Sequence, residues 1–262
     1  MRLKKKVFVH DCDGVFLGRD RERNESDDFN SLEDYSELFS ILGKTKKRFG
    51  YEMIALTDRG GAQLPPVSYL LHSSRYQGGE SGAVAYDNYS HQIIKNPSYM
   101  EIILAIREIE HEFKHEFNYF YPLEPGVYSS IRAERVDGQD MSPVFEWLSE
   151  KAKKSAGNLI CADHGDCISL KPIINKGIGS EWLFSLYEKA GIEIDFSQAL
   201  WIGDGTSDIP AAKYILDRGG QIAGVANSHN DYRDFILKNG GYISKAQQTA
   251  GMVEIIKNFV AM

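Results

Sequence analysis

Apolar and polar positions along this chain fall into two periods that alternate almost throughout. Val7, Phe8 and Val9 form an unbroken apolar run that predicts a buried strand, and it ends abruptly in His10, Asp11, Cys12, Asp13 and Gly14. A second run at 199–202 ends the same way, in Gly203, Asp204, Gly205, Thr206, Ser207 and Asp208. Between them, Leu32, Tyr35, Leu38, Phe39 and Leu42 recur at helical spacing, with Ser31 and Asp34 placed as a capping box and Gly50 as the stop. Residues 51–57 read as another buried strand, and Pro65 and Pro66 suit the first turn of a helix carrying Val67, Leu70 and Leu71. Late in the chain come a helix with Trp182, Leu183, Leu186 and Tyr187, a further helix over about 207–216, a strand at 221–225 and a last helix at 252–260. Alternating strands and helices predict the α/β class, with a Rossmann-like doubly wound parallel sheet.

The middle of the chain has a different rhythm. Short alternating runs at 83–86 and 91–94 predict a hairpin, followed by a long helix over 98–117. A strand over 127–136, a helix opened by Pro143 and running to about 156, and a hairpin over 158–171 turning at His164, Gly165 and Asp166 complete the block. This pattern predicts an inserted α+β unit with an antiparallel sheet. The organisation expected is therefore a core from 1–80 and 172–262, split by an inserted domain at 81–171. Residues 18–30 are highly charged and almost free of apolar side chains, which predicts a loop.

Charge and composition narrow the choice of function. A chain of 262 residues can bury a substantial core, as one large domain or two modest ones. Its net charge of −7 argues against a sequence-independent nucleic-acid binder, which needs a basic face. The apolar run after Lys4, Lys5 and Lys6 is too short for a signal sequence, and no stretch is long enough to cross a bilayer. The three cysteines, at 12, 161 and 167, form no CxxC pair and no disulfide framework, so a reducing cytoplasm is the expected location. Cys12 points away from its two acidic neighbours on an extended strand tip and is expected to pack.

Two strands that each deliver carboxylates at their C-terminal tips can gather four acids at the edge where open α/β sheets bind ligands. Such a crowd repels itself unless a cation sits within it, and hard oxygen donors suit Mg²⁺. Further chemistry-bearing residues follow in order: Thr57-Asp58-Arg59-Gly60-Gly61 after the second strand, and Asn175-Lys176-Gly177 at a helix start. The conjunction of Asp11-Cys12-Asp13, Thr57, Lys176 and Gly203-Asp204-x-x-x-Asp208 resembles the four motifs of the haloacid dehalogenase superfamily, specifically its phosphatases. The insertion lies where that family carries its large C2-type cap, and Glu80-Ser81-Gly82-Ala83 resembles the Glu-Asn-Gly-Ala that opens the cap in its sugar phosphatases. The resemblance implies a Mg²⁺-dependent phosphatase of a small phosphorylated metabolite, a sugar or polyol phosphate. In it Asp11 is the nucleophile and Asp13 the acid/base. Thr57, Asp58 and Lys176 bind phosphate, and Asp11, the Asp13 carbonyl, Asp204 and Asp208 hold or orient Mg²⁺. A phosphosugar mutase using the same aspartyl phosphate is the alternative within the family, and a non-enzymatic binding protein on the same fold is a remote one, disfavoured because no motif position is lost.

In the inserted unit, alternation puts Ser130, Arg132 and Glu134 on one strand face, and Ser169 and Lys171 on the same side of the neighbouring strand. Arg132, Glu134 and Lys171 are thus candidates to meet the non-phosphate part of a substrate. One competing motif exists: His111-Glu112-Phe113-Lys114-His115 matches the zinc-protease pattern HExxH on an expected helix. Both histidines are expected on its solvent side, with Glu134 the nearest third ligand, so the pattern reads as a solvated face.

Overall fold

The computed structural model describes residues 4–17, 31–71, 73–117, 121–165 and 167–260. The charged stretch 18–30 and Asp166 lie outside the described residues. Five strands, β1 (Lys4–His10), β2 (Tyr51–Ala55), β9 (Glu193–Gly203), β10 (Gln221–Gly224) and β11 (Tyr242–Ile243), form a parallel sheet in the order β11-β10-β9-β1-β2. Period-two alternation sorts their side chains. Phe8, Met53, Leu200 and Ile202 point to one face, where they pack on Leu38 and Ile41 of α1 (Leu32–Phe49) and Met252 and Ile256 of α8 (Gln248–Val260). Val7, Val9, Ala199 and Trp201 point to the other face. There they meet Leu183 and Tyr187 of α5 (Lys176–Lys189), Ala211 and Ile215 of α6 (Ile209–Leu216), and Tyr232 and Ile236 of α7 (Asn230–Lys238). Both faces are covered, so the strands read as continuous apolar runs.

The helix signals act as expected at α1. The backbone N–H of Ser31 donates to the Asp34 carboxylate at 2.9 Å, and the Asp34 N–H donates to Ser31 Oγ at 3.1 Å. Gly50 closes the helix at φ 74°. The proline-opened helix is α2 (Leu64–Leu70).

Two small antiparallel sheets flank this core. The first is β3 (Tyr76–Gly79), β4 (Val84–Asp87) and β5 (Gln92–Lys95), and its Ala85 and Ile94 pack into the cluster around Trp201. The second has the order β6-β8-β7, from β6 (Ile131–Glu134), β7 (Leu159–Asp163) and β8 (Cys167–Pro172). Ile131, Ala133, Ile168 and Leu170 of this sheet bury against Ile106 and Phe113 of α3 (Met100–Glu116) and Val144 and Leu148 of α4 (Ser142–Lys154). The strand expected at 127–136 is confined to Ile131–Glu134. Before it, Tyr128 and Ser129 direct their backbone N–H groups to a core carboxylate instead of a ladder partner. After it, the chain turns through Gly138 at φ 80°.

The chain passes from β3 to β4 through Glu80, Ser81 and Gly82, at φ 52°, 57° and 93°. At Gly82 a Cβ would lie 2.2 Å from the Cα of Gly179 in α5, a backbone atom that cannot step aside alone. Gly82→Ala is therefore expected to cost about 3 kcal/mol, from positive φ and overpacking together. Urea unfolding measures this; a variant as stable as the parent would mean the junction is not packed as described.

Candidate active site

β1 and β9 are neighbours in the sheet, and the chain departs from them in opposite directions, so a crevice opens beyond their C-terminal ends. The Asp11 N–H donates to the Ile202 carbonyl at 3.0 Å, which pins one acidic tip to the other. Carboxylate oxygens of Asp11, Asp204 and Asp208 all lie within 4.8 Å of one another, and all three residues are buried. Gly14 permits this approach: it sits at φ 77°, and a Cβ there would fall 2.2 Å from Asp204 Oδ2.

Lys176 supplies the positive charge. It is the first residue of α5, whose N-cap Asn175 side chain accepts from Gly177 N and Ile178 N. Its ammonium is 1% exposed and lies 2.6 Å from Asp11 Oδ2 and 2.7 Å from Asp208 Oδ1. The other Asp208 oxygen accepts from the backbone N–H groups of Asp204 and Gly205 at 2.8 and 2.9 Å. Asp208 thus holds the turn that aims Asp204, with both of its oxygens engaged by protein donors.

Electrostatics follow from crowding. Burial, with Asp208, Asp204 and Asp58 adding to it, pushes the Asp11 carboxyl up to about 8 against the pull of Lys176. Burial also works against a charged Lys176, but Asp11, Asp208 and Asp58 outweigh it and hold the ammonium well above its usual range. At Asp58 burial is likewise outweighed, by Lys176, Lys171, Ser81 and Arg132, and its carboxyl is held down to about 2. Three buried carboxylates lie together with one ammonium that pairs with two of them, Asp11 and Asp208, an oxygen-rich and anionic donor set that fits a hard divalent cation.

Thr57 is fully buried at the end of β2, with its hydroxyl accepting from the Arg59 N–H at 3.3 Å. Asp13 stands apart from the three-acid cluster, at the mouth. Arg59 grips it with two bonds, Nε to Oδ2 at 3.1 Å and a terminal nitrogen to Oδ1 at 2.5 Å, with the side chains 29% and 31% exposed. Arg59 was not among the residues singled out from the sequence. Its position two residues beyond Thr57, on the same loop, is the signal that could have found it. Cys12 is fully buried among Val15 and Phe16, as expected of a packing residue.

Of the residues expected from the inserted unit, two come near. Arg132 donates to the Asp58 carbonyl and, at 3.1 Å, to Glu124, and Lys171 acts electrostatically on Asp58. Glu134 is exposed, and no described contact brings it to the cluster. Ser169 is buried and bonds His164 at 2.8 Å. The HExxH segment lies on an exposed face of α3: His111 and His115 are open to solvent, and Glu112 pairs with Lys151. Among the described residues, the one group of His, Cys, Asp or Glu at metal-ligand spacing is Asp11, Asp204 and Asp208. No described helix is long and apolar enough to cross a membrane.

No family model matches the chain, and no curated protein matches it. Solved structures do. The sucrose-phosphatase from Synechocystis sp. PCC6803, in complex with sucrose and phosphate, is 16% identical, with a TM-score of 0.59 over 98% of this chain and 99% of that one. The C-terminal domain of Candida albicans trehalose-6-phosphate phosphatase is 13% identical, with a TM-score of 0.61 over 99% and 93%. A haloacid dehalogenase-like hydrolase from Bacteroides thetaiotaomicron is 15% identical, with a TM-score of 0.62 over 97% and 99%. Over nearly its whole length, this chain has the fold of the haloacid dehalogenase-like hydrolases.

Proposed function

We propose that this chain is a Mg²⁺-dependent phosphatase of a small phosphorylated metabolite, a sugar or polyol phosphate, working through an aspartyl phosphate. The observation that carries the reading is the cluster of Asp11, Asp204 and Asp208 within 4.8 Å, with Lys176 between two of them, at the strand-tip crevice. A phosphate monoester repels an anionic nucleophile, so catalysis depends on positive charge and aimed donors around the phosphoryl group. Lys176 and the Thr57 hydroxyl supply such donors. Asp11 and Asp204, with the Asp13 carbonyl, would hold Mg²⁺, oriented by Asp208. The cation would neutralise charge on the phosphoryl oxygens and on Asp11.

An Asp11 oxygen attacks phosphorus, the bond from phosphorus to the ester oxygen breaks, and Asp13 gives its proton to the departing alkoxide. Water then attacks phosphorus, Asp13 takes a proton back, and Asp11 is released with inorganic phosphate. Arg59 holds Asp13 in reach between these two proton transfers.

The cap of this enzyme is assigned to 81–171 and the core to 1–80 and 172–262. The assignment is supported by an apolar cluster drawn wholly from between Ile102 and Leu170. A role for the cap residues Arg132 and Lys171 in meeting the substrate beyond its phosphate is supported by their action on Asp58.

The test is phosphate release from a panel of phosphorylated sugars, polyols, short organic acids and nucleotides, with Mg²⁺ and with EDTA. Turnover of a sugar or polyol phosphate is expected, with at least about 100-fold loss in EDTA and recovery on adding Mg²⁺. Activity indifferent to chelation, or none on any phosphate ester, would overturn the reading.

A further inference from the structure

Glu80 is 5% exposed and stands at the point where the chain leaves the core. Its carboxylate accepts four hydrogen bonds, two on each oxygen. Oε1 takes the backbone N–H of Gly61 at 3.1 Å and of Tyr128 at 2.8 Å; Oε2 takes the N–H of Ser129 at 2.5 Å and the Ser129 hydroxyl. One carboxylate therefore joins the core loop 57–61 to the segment 126–130 of the insertion.

The backbone around it reinforces the joint. Glu80 N donates to the Arg59 carbonyl and Ser81 N to the Thr57 carbonyl, both at 3.0 Å, and Ser81 Oγ bonds the Asp58 carboxylate. Ala62 N reaches across to the Gly126 carbonyl at 3.1 Å. Every residue from Thr57 to Gly61 except Gly60 is thus tied to Glu80 or Ser81. This loop carries the Thr57 hydroxyl and the Arg59 guanidinium that grips Asp13. Glu80 and Ser81 also hold left-handed backbone, at φ 52° and 57°, where glycine would sit without strain. A glutamate kept in that conformation needs a compensating role for its side chain, and the four bonds supply one.

We infer that Glu80 is a positioning residue: its carboxylate sets the 57–61 loop and the 126–130 segment in one mutual geometry, and so aligns Thr57 and Arg59 for the reaction at Asp11. The inference rests on the phosphatase reading for its catalytic half alone.

Two variants of the full chain separate the side chain from the backbone. Glu80→Gln keeps size but replaces one acceptor oxygen with a donor, and Glu80→Gly deletes the carboxylate while relieving the positive φ. Phe113→Leu, a cut in the apolar cluster between Ile102 and Leu170, serves as a control that lowers stability away from the Glu80 joint. With 4-nitrophenyl phosphate and Mg²⁺, both Glu80 variants are expected to lose about 100-fold in kcat with little change in KM, whereas Phe113→Leu keeps kcat. Hydrogen exchange of peptides covering 57–61 and 126–130 is expected to accelerate together in both Glu80 variants. Should Glu80→Gln fail to fold, Glu80→Gly, with its easier backbone, carries the same comparison. Unchanged kcat in a folded Glu80 variant, an equal loss in Phe113→Leu, or loss of protection in only one segment would each overturn the inference. An inactive parent protein would count against the phosphatase reading alone, and the exchange experiment would still decide the coupling.

Discussion

Asp11→Asn is expected to abolish hydrolysis of aryl and sugar phosphates, by about 10⁴-fold or more, while leaving the fold as stable as before or slightly more so. The amide keeps the shape of the side chain but has no anionic oxygen to attack phosphorus. The stability half of this outcome follows from the charge balance. Three buried carboxylates face one buried ammonium, and burial with like charges already holds Asp11 up to about 8. Removing one of those acids relieves repulsion, and Lys176 retains Asp208 at 2.7 Å. Steady-state kinetics and thermal unfolding on the same preparation measure both halves. A variant that still turns over at more than about a hundredth of the parent rate would remove Asp11 from the role of nucleophile.

Lys176→Met is expected to do the reverse to stability. Methionine fills nearly the same space in a pocket where the lysine is 1% exposed, so packing survives but the cluster loses its counter-charge. Deleting one partner of a buried ion pair costs about 3–5 kcal/mol. The sign of the pH dependence is fixed by the direction of the Asp11 shift. Its folded pKa lies above the unfolded value, and loss of Lys176 removes the influence that lowered it. The folded variant therefore binds more protons than the unfolded chain, and stability missing at pH 7.5 returns as pH falls toward 5. Denaturant midpoints at both pH values, with and without Mg²⁺, test this. A variant as stable as the parent at pH 7.5 without Mg²⁺ would mean that Lys176 does not hold the acids together.

What could be read in the sequence was whatever depended on short-range pattern. Val7 to Asp13 and Ala199 to Asp208 announced buried strands with acidic tips, and Ser31 with Asp34 announced the start of α1. Elements set by tertiary contact were less legible. β3 was missed because its Gly78 and Gly79 suggest a turn; it is a strand because Leu56 and Leu183 press on Gly78 where a Cβ would stand. α7 was missed because only Tyr232 and Ile236 of its nine residues are buried, too few to mark a period. In the candidate site, the residues on the two acidic tips were legible because they sit next to apolar runs. Arg59 and Glu80 were not given roles, since their partners, Asp13 and the 128–129 backbone, lie 46 to 49 positions away.

The strand order also dictates when the site can exist. β1 is flanked by β2, about forty residues on, and by β9, nearly two hundred residues on. A chain emerging from the ribosome thus presents a central strand with one edge bare until most of the protein has been made. Long-range parallel pairings of this kind form slowly and leave apolar edges open to aggregation. The apolar cluster between Ile102 and Leu170 has no such delay, since all its members are made together. That cluster can therefore be complete before the sheet closes around β1. Asp11 spends that interval far from Asp204 and Asp208, and the mutual repulsion of the three acids arises only at the last pairing step.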